Sequence, residues 1–333
     1  MSYDALLIVG FGGPDKPEDV MPFLENVTRG RRIPRERLEE VAEHYYHFDG
    51  KSPINEQVEE LIEALREELA AHGPSLPVYL GNRNWDPYLG NTIRQMKTDG
   101  VQRALAFVTS AWASYSSCRQ YLDNINAARE AVGEGAPEVV RLRPFYNHPG
   151  FIEPMAERVR NAYASLPETL RDDAPLLFTA HSIPLSMAQT CRYVEQLTEA
   201  CGLVAKGAGR ESWQLVYQSR SGSPGQPWLE PDIGDALKEL AAGGGKSVVI
   251  VPIGFLSDHM EVKFDLDHEA GELSERLGLT MARAGTVGSH PRFVKMIREL
   301  IMERMEGDES GLCAVGCCPA PVMHGPPRPP SGG

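Results

Sequence analysis

The sequence predicts an α/β protein of two lobes, each a parallel sheet flanked by helices, with its functional cleft between them. Three observations carry that expectation. Short apolar runs, several rich in β-branched residues, recur along the whole chain. The stretches between them place apolar residues at spacings of three and four, the period of a helix packed on one side. Strand and helix patterns therefore alternate, as in βαβ units whose sheets are covered on both faces. The chain has 333 residues, which at roughly 150 residues per domain suits two such units.

The elements follow in order. Ala5–Gly10 (ALLIVG) is the first expected strand, followed by a Gly-rich turn. Arg35–Tyr46 and 54–69 have helical periodicity, the second with Val58, Leu61, Ile62, Leu65 and Leu69 on one face. Strands are expected at 77–81 and 104–110, then a helix over Gln120–Val132. "RPFYNHPGF" combines turn residues with aromatics and marks the lobe boundary near 144–150. The second half repeats the order, with strands at 176–180, Gln214–Gln218 and 247–252, and helices at 151–164, 186–200 and 291–305. The expected division is an N-terminal lobe over 1–147, a C-terminal lobe over 148–306 and a Cys-rich tail over 307–333. That tail is rich in Gly and Pro, so it ends the last helix, and its final ten or so residues are expected to be disordered.

Composition narrows the function. The formal net charge is −13, so nucleic acid is not an expected partner, although a local basic patch can still hold an anionic ligand. No run approaches the roughly 18 apolar residues of a membrane span, and the N-terminus has no signal-peptide pattern. A cytoplasmic protein is expected, with its six cysteines as thiols or metal ligands.

In parallel α/β sheets, ligands bind beyond the carboxyl ends of the strands. That rule selects the segments 10–14, 109–121, 181–184 and 254–259. The turn Gly10-Phe11-Gly12-Gly13-Pro14 lacks GxGxxG and GK[ST] spacing, so it reads as a tight strand-to-helix turn rather than a phosphate loop. His181 stands where a strand opens into the crevice. Downstream, "DHMEVKFDLDHEAGELSERL" places Glu261, Asp265, His268 and Glu272 on one face of a helix at spacings of four, three and four. Carboxylates and an imidazole aimed at one cavity suit Fe²⁺ or a proton relay; the alternative is a solvated acidic face. There is no HExxH and no nucleophile motif.

Cys313, Cys317 and Cys318 put three thiols within six residues, suiting a metal or an iron–sulfur cluster with one further ligand. Cys118, Cys191 and Cys201 are the candidates for that ligand, and zinc is the chemical rival. Aromatics (Phe11, Phe23, Tyr45, Tyr46, Trp85, Tyr115, Tyr121) and the basic run from Arg29 and Arg31 to Arg37 concentrate in the first third. Rings for the faces and guanidinium groups for the carboxylates would line a site for a flat polycarboxylate ligand. Taken singly, each of these residues also reads as core or solvated turn.

Together the motifs "LLIVGFGGP", "FLENVTRGRRIP", "FDGKSPIN", "GNRNWDP", "FTAHSIP", "YQSRSG" with "PWLEPD", and "PIGFLSDHMEVKFDLD" resemble the ferrochelatase family over nearly the whole globular chain. The resemblance implies two Rossmann-like lobes with a porphyrin in the cleft. It implies that His181 and Glu261 face each other across the porphyrin as metal-handling residues, with Asp265 as the next acidic group. It places Phe11, Ser52 and Tyr121 against the macrocycle or its propionates. Phe11 stands where some members carry a metal-ligating tyrosine, and a phenyl ring cannot ligate. The strongly charged stretch 19–44 takes the place of an apolar, membrane-facing lip. That favours Fe²⁺ insertion into coproporphyrin III by a monomeric cytoplasmic enzyme, with transient contact to a downstream coproheme decarboxylase. Protoporphyrin IX is the alternative substrate; a cobalt or nickel chelatase and a porphyrin carrier are the alternative functions. The tail is similar to that of members holding a [2Fe–2S] cluster, which implies Cys118, Cys313, Cys317 and Cys318 as its ligands.

Overall fold

In the computed structural model the described residues are 2–30, 33–221, 225–314 and 316–320. The end of the tail and Arg31 lie outside them. The first sheet comprises β1 (Ala5–Gly10), β2 (Val78–Asn82), β3 (Arg103–Val108) and β4 (Glu138–Arg141). The second comprises β5 (Leu176–His181), β6 (Gln214–Gln218), β7 (Ser247–Val251) and β8 (Thr280–Arg283). Both are wholly parallel and repeat one order, β2-β1-β3-β4 and β6-β5-β7-β8. The strand order reverses beside β1 in one sheet and beside β5 in the other, and such switch points open crevices at the strands' carboxyl ends.

β4 and β8 were not expected from the sequence. Each is a four-residue edge strand, EVVR and TMAR, half-buried or exposed over most of its length. Neither carries the apolar run of a central strand. The expected 186–200 helix is two: Leu185–Ala188 and Tyr193–Gly207. Polar groups end the first, with Thr190 Oγ1 and Cys191 Sγ both donating to the Met187 carbonyl.

One apolar core runs through both lobes. Alternate β1 residues point to opposite faces: Leu6 and Ile8 join this shared core, whereas Ala5, Leu7 and Val9 face an outer layer. Phe107, Phe145, Phe151 and Phe293 pack ring against ring at centroid distances of 5.1–6.3 Å. The last helix, Pro291–Glu306, lies against Ile54–His72 of the first lobe and Pro149–Ser165 of the second. Arg298 adds hydrogen bonds to the carbonyls of His72 and Gly73 at 2.7 and 2.6 Å.

Three polar contacts fix the cleft floor. Trp112 Nε1 donates to the Gly254 carbonyl at 2.9 Å, Ala113 N–H to Gln196 Oε1 at 2.7 Å, and Asp258 N–H to Gln57 Oε1 at 2.8 Å. Each joins the first lobe to the second. Gly254 itself lies tight against β5, where a Cβ would stand 2.7 Å from Ala180 Cα.

Candidate active site

β5 ends at His181, and the segment after β7 returns past it carrying His259, Glu261 and Asp265. The geometry fixes the imidazole. His181 Nδ1 is hydrogen-bonded to the Ser182 carbonyl, so it carries a proton, and Tyr193 Oη donates to the His181 carbonyl at 3.0 Å. Nε2 is left facing Glu261 Oε1 at 3.4 Å, the two side chains being 31% and 43% exposed to the cleft. With Nδ1 protonated, Nε2 meets the carboxylate either as an N–H⁺ or through a metal ion between them.

Charge decides which. Burial works against an ionised His181, but Glu261 outweighs it and raises the pKa to about 9. Burial likewise opposes the Glu261 carboxylate, while His181 draws its pKa down to about 2. At neutral pH without metal they are an ion pair. Asp265 responds differently: burial and the Glu261 charge push it up to about 7 against the hydrogen bond from Ser219. It therefore changes protonation near neutrality.

His259 is held neutral, its pKa lowered by burial and by His181 against the pull of Glu261. Its Nδ1 accepts the Glu261 N–H at 3.2 Å, capping the short turn Met260–Val262. From the end of β6, Gln218 Nε2 donates to the Glu261 carbonyl at 2.6 Å, and Ser219 Oγ donates to Asp265. Ser219 has a φ of 59°, a left-handed backbone conformation that aims its hydroxyl there. Behind the segment, Arg283 grips Asp258 and Asp267 together, with N–O distances of 3.1 and 2.6 Å. Thr286 Oγ1 donates to Asp258 at 3.2 Å. Gln218, Ser219 and Arg283 were absent from the candidate residues; applying the strand-end rule to β6 would have found the first two.

Asp265 lies not on an α-helix but on a π-helical stretch, Lys263–Ala270. Its wider turn, closed by i→i+5 hydrogen bonds, replaces the expected α-helical face. Asp265 turns to Ser219, whereas His268 meets His47, with ring centroids 4.2 Å apart, and lies 3.5 Å from Glu272. The four-residue row expected from spacing is thus divided between two environments.

The macrocycle-contact residues fall into two groups. Phe11 packs edge-on to Phe23, whose ring also meets Tyr45 and Trp85. Arg83 joins Phe11 to Tyr121, its guanidinium carbon 5.7 Å from one ring centroid and 4.4 Å from the other. The Tyr121 ring is buried with the outer layer of the first sheet. Ser52 is buried beside Gly13, its N–H donating to the Pro14 carbonyl at 2.9 Å. Arg29 is exposed and hydrogen-bonds Asn26. Among the described residues neither Ser52 nor Arg29 hydrogen-bonds the His181 group. Tyr45 was expected only as one ring of an aromatic cluster. Its phenol pKa is raised by burial and by the charges of Glu261 and Asp265.

The thiols converge in part. Cys118 is buried on a π turn, Tyr115–Arg119, and Arg141 donates to its sulfur. Hydrogen bonds from Cys313 and Cys318 lead the influences that draw its pKa down. Cys317 adds its charge to both of those thiols, while Cys201 is buried within its helix and its pKa is raised by burial. Among the described residues no group of three or more His, Cys, Asp or Glu side chains stands ready to hold a metal ion. A cavity of about 750 Å³ is lined by Leu170, Gln214, Gly245 and Lys246. It lies at the amino ends of β5–β7, opposite His181, and is not this site.

Comparison with known proteins identifies the family. The family model described as Ferrochelatase matches residues 3–305. A ferrochelatase of Rhodopirellula baltica is 53% identical over 99% of this chain and 96% of its own. A coproporphyrin III ferrochelatase of Mycolicibacterium smegmatis is 53% identical over 92% of this chain and 91% of its own. One of Streptomyces coelicolor is 50% identical over 99% and 96%. Among solved structures, SirB of Bacillus subtilis superposes with a TM-score of 0.57 at 12% identity, over 92% of this chain and 98% of its own. That likeness supports the two-lobed chelatase fold.

Proposed function

Because the chain belongs to the ferrochelatase family, we propose that it inserts Fe²⁺ into coproporphyrin III to give Fe-coproporphyrin III in heme biosynthesis. The observation that carries the reading is His181 Nε2 facing Glu261 Oε1 at 3.4 Å beside an Asp265 with a pKa of about 7. Metallation exchanges two pyrrole N–H protons for one Fe²⁺, so the site must handle a metal and two protons. Fe²⁺ arriving at Glu261 displaces the Nε2 proton of His181, because metal and proton compete for one lone pair. Asp265, poised near the working pH, is the fitting acceptor and releases that proton to solvent before it is needed again. When the metal moves into the ring, His181 is a free base beside a bare carboxylate. It takes a pyrrole proton and restores its ion pair; the second proton leaves through Asp265.

Coproporphyrin carries four carboxylates. The helix Arg35–Tyr46 presents exposed ion pairs, Arg35 with Glu39 and Arg37 with Glu40, rather than an apolar edge, which favours the more polar porphyrin. Relatives named for the same substrate support the choice. Among the described residues no helix is long and apolar enough to cross a membrane. Our reading adds a monomeric enzyme in the cytoplasm whose product passes, in transient contact, to a coproheme decarboxylase. Phe11, Arg29, Arg31, Ser52 and Tyr121 complete the porphyrin site.

We also propose a [2Fe–2S] cluster held by Cys118, Cys313, Cys317 and Cys318. Four thiols are a fitting soft donor set, and the hydrogen bonds from Cys313 and Cys318 to Cys118, with Cys317 beside them, support it. Such a cluster supplies one-electron chemistry or a structural clip. Iron and acid-labile sulfide in the purified protein, lost in Cys118→Ser, test it.

The test of the main reading is anaerobic Fe²⁺ insertion followed by absorbance, with coproporphyrin III and protoporphyrin IX in parallel, for wild type and His181→Ala. We expect fast coproporphyrin metallation that the variant loses while still binding porphyrin. Faster protoporphyrin turnover would overturn the substrate. Binding without metallation by wild type would leave a carrier.

A further inference from the structure

We infer that His44 and Phe264 form a clasp between the lobes, and that opening it limits porphyrin exchange. His44 lies on the helix Arg35–Tyr46, at the edge of the first lobe; Phe264 lies on the π-helical stretch between Glu261 and the outer end of the acidic segment. Their rings are stacked, with centroids 3.7 Å apart and planes within 7°. His47 closes on the same ring edge-on at 6.3 Å and on His268 at 4.2 Å. One aromatic thus receives two imidazoles from the opposite lobe.

The pair joins the two halves of the candidate site. Beside His44, Tyr45 packs on Phe23, and Phe23 on Phe11, a candidate macrocycle contact. Beside Phe264, Asp265 is hydrogen-bonded by Ser219. Moving the two lobes apart to pass a ligand would part these elements, and the stacked rings resist it. The inference rests on the proposal that the cleft takes a porphyrin.

The clasp also has a proton sensitivity of known sign. His44 has its pKa lowered from 6.5 by burial, then by Arg37 on its own helix and His268 across the clasp. The charged or titratable groups around it are Arg37, with its partner Glu40, and His47 on its own side. Facing them are His268 and Glu272, the latter also paired with Arg276. Closed, His44 is neutral. As the pH falls below 6.5 the open state takes up the proton first, so the clasp loosens in acid.

The experiment measures coproporphyrin III dissociation by stopped-flow fluorescence between pH 5.5 and 8, with hydrogen exchange on the ligand-free protein. Wild type, His44→Ala and His44→Phe are compared. Stacked aromatic pairs contribute about 0.5–1.5 kcal/mol, so His44→Ala should release porphyrin roughly 2- to 12-fold faster. Its amide exchange should rise over 35–46 and 263–270. His44→Phe, which restacks but cannot take a proton, should restore slow release and lose most of the acceleration in acid. Unchanged exchange in both segments of His44→Ala would overturn the clasp, as would wild-type release rates. Failure of wild type to bind coproporphyrin would overturn the substrate reading instead, while the exchange measurement still decides the clasp.

Discussion

Glu261→Gln isolates the charge that sets His181. In wild type the pKa of His181 is raised to about 9 from 6.5, burial pulling it down and Glu261 more than reversing that pull. The amide keeps the shape and removes the charge, so burial should carry His181 back down toward 6.5. Undiscounted, the fall of about two and a half pH units corresponds to about 3.4 kcal/mol. Water reaches both side chains, 31% and 43% exposed, and screens them, so a fall of about 1–2.5 units is expected. The assay is an NMR titration of the His181 ring in metal-free protein. The sign for stability follows from both partners. The His181 contribution is complete below 6.5 and is lost as pH rises through about 9. The Glu261 contribution is present above 4.5 and is lost as pH falls through about 2. The stability gap between wild type and variant should therefore be widest between pH 4.5 and 6.5 and narrow at either extreme. A variant His181 that titrates at the wild-type pH would refute the pairing.

Arg283→Met leaves Asp258 and Asp267 without their shared cation. We expect a loss of about 3–5 kcal/mol in urea melts and of iron insertion, because the segment carrying Glu261 loses its anchor. Asp265→Asn cannot accept a proton. The rise in insertion rate as wild type passes through about pH 7 should therefore flatten, and an unchanged profile would remove Asp265 from the relay. Phe293→Ala opens a hole where the ring meets Phe107, Phe145 and Phe151, and should cost about 3–5 kcal/mol by denaturant titration.

Much of the plan was legible before folding. Six of the eight strands follow from apolar runs alone, the four central ones most clearly, because a strand buried on both faces has few alternatives. His181 and the Gly254–His259 turn follow from the rule that ligands sit at carboxyl strand ends. The short edge strands Glu138–Arg141 and Thr280–Arg283 were not legible, since half-exposed strands need no apolar run. Nor was the π-helical stretch. Its i→i+5 bonds are set by what each side chain meets, and at α-helical spacing His268 shares a face with Asp265.

By itself, the sequence determined the alternation of elements, the residue types at the strand ends and the family. Those are local properties, written in periodicity and motif. Only the tertiary structure decided that Glu261 would raise His181 while Asp265 rises to about 7. It also decided that Gln218 and Ser219 would reach them from β6, and that Arg283 would tie Asp258 to Asp267. Protonation depends on burial and on charges a few ångströms away, and those neighbours come from residues far apart along the chain.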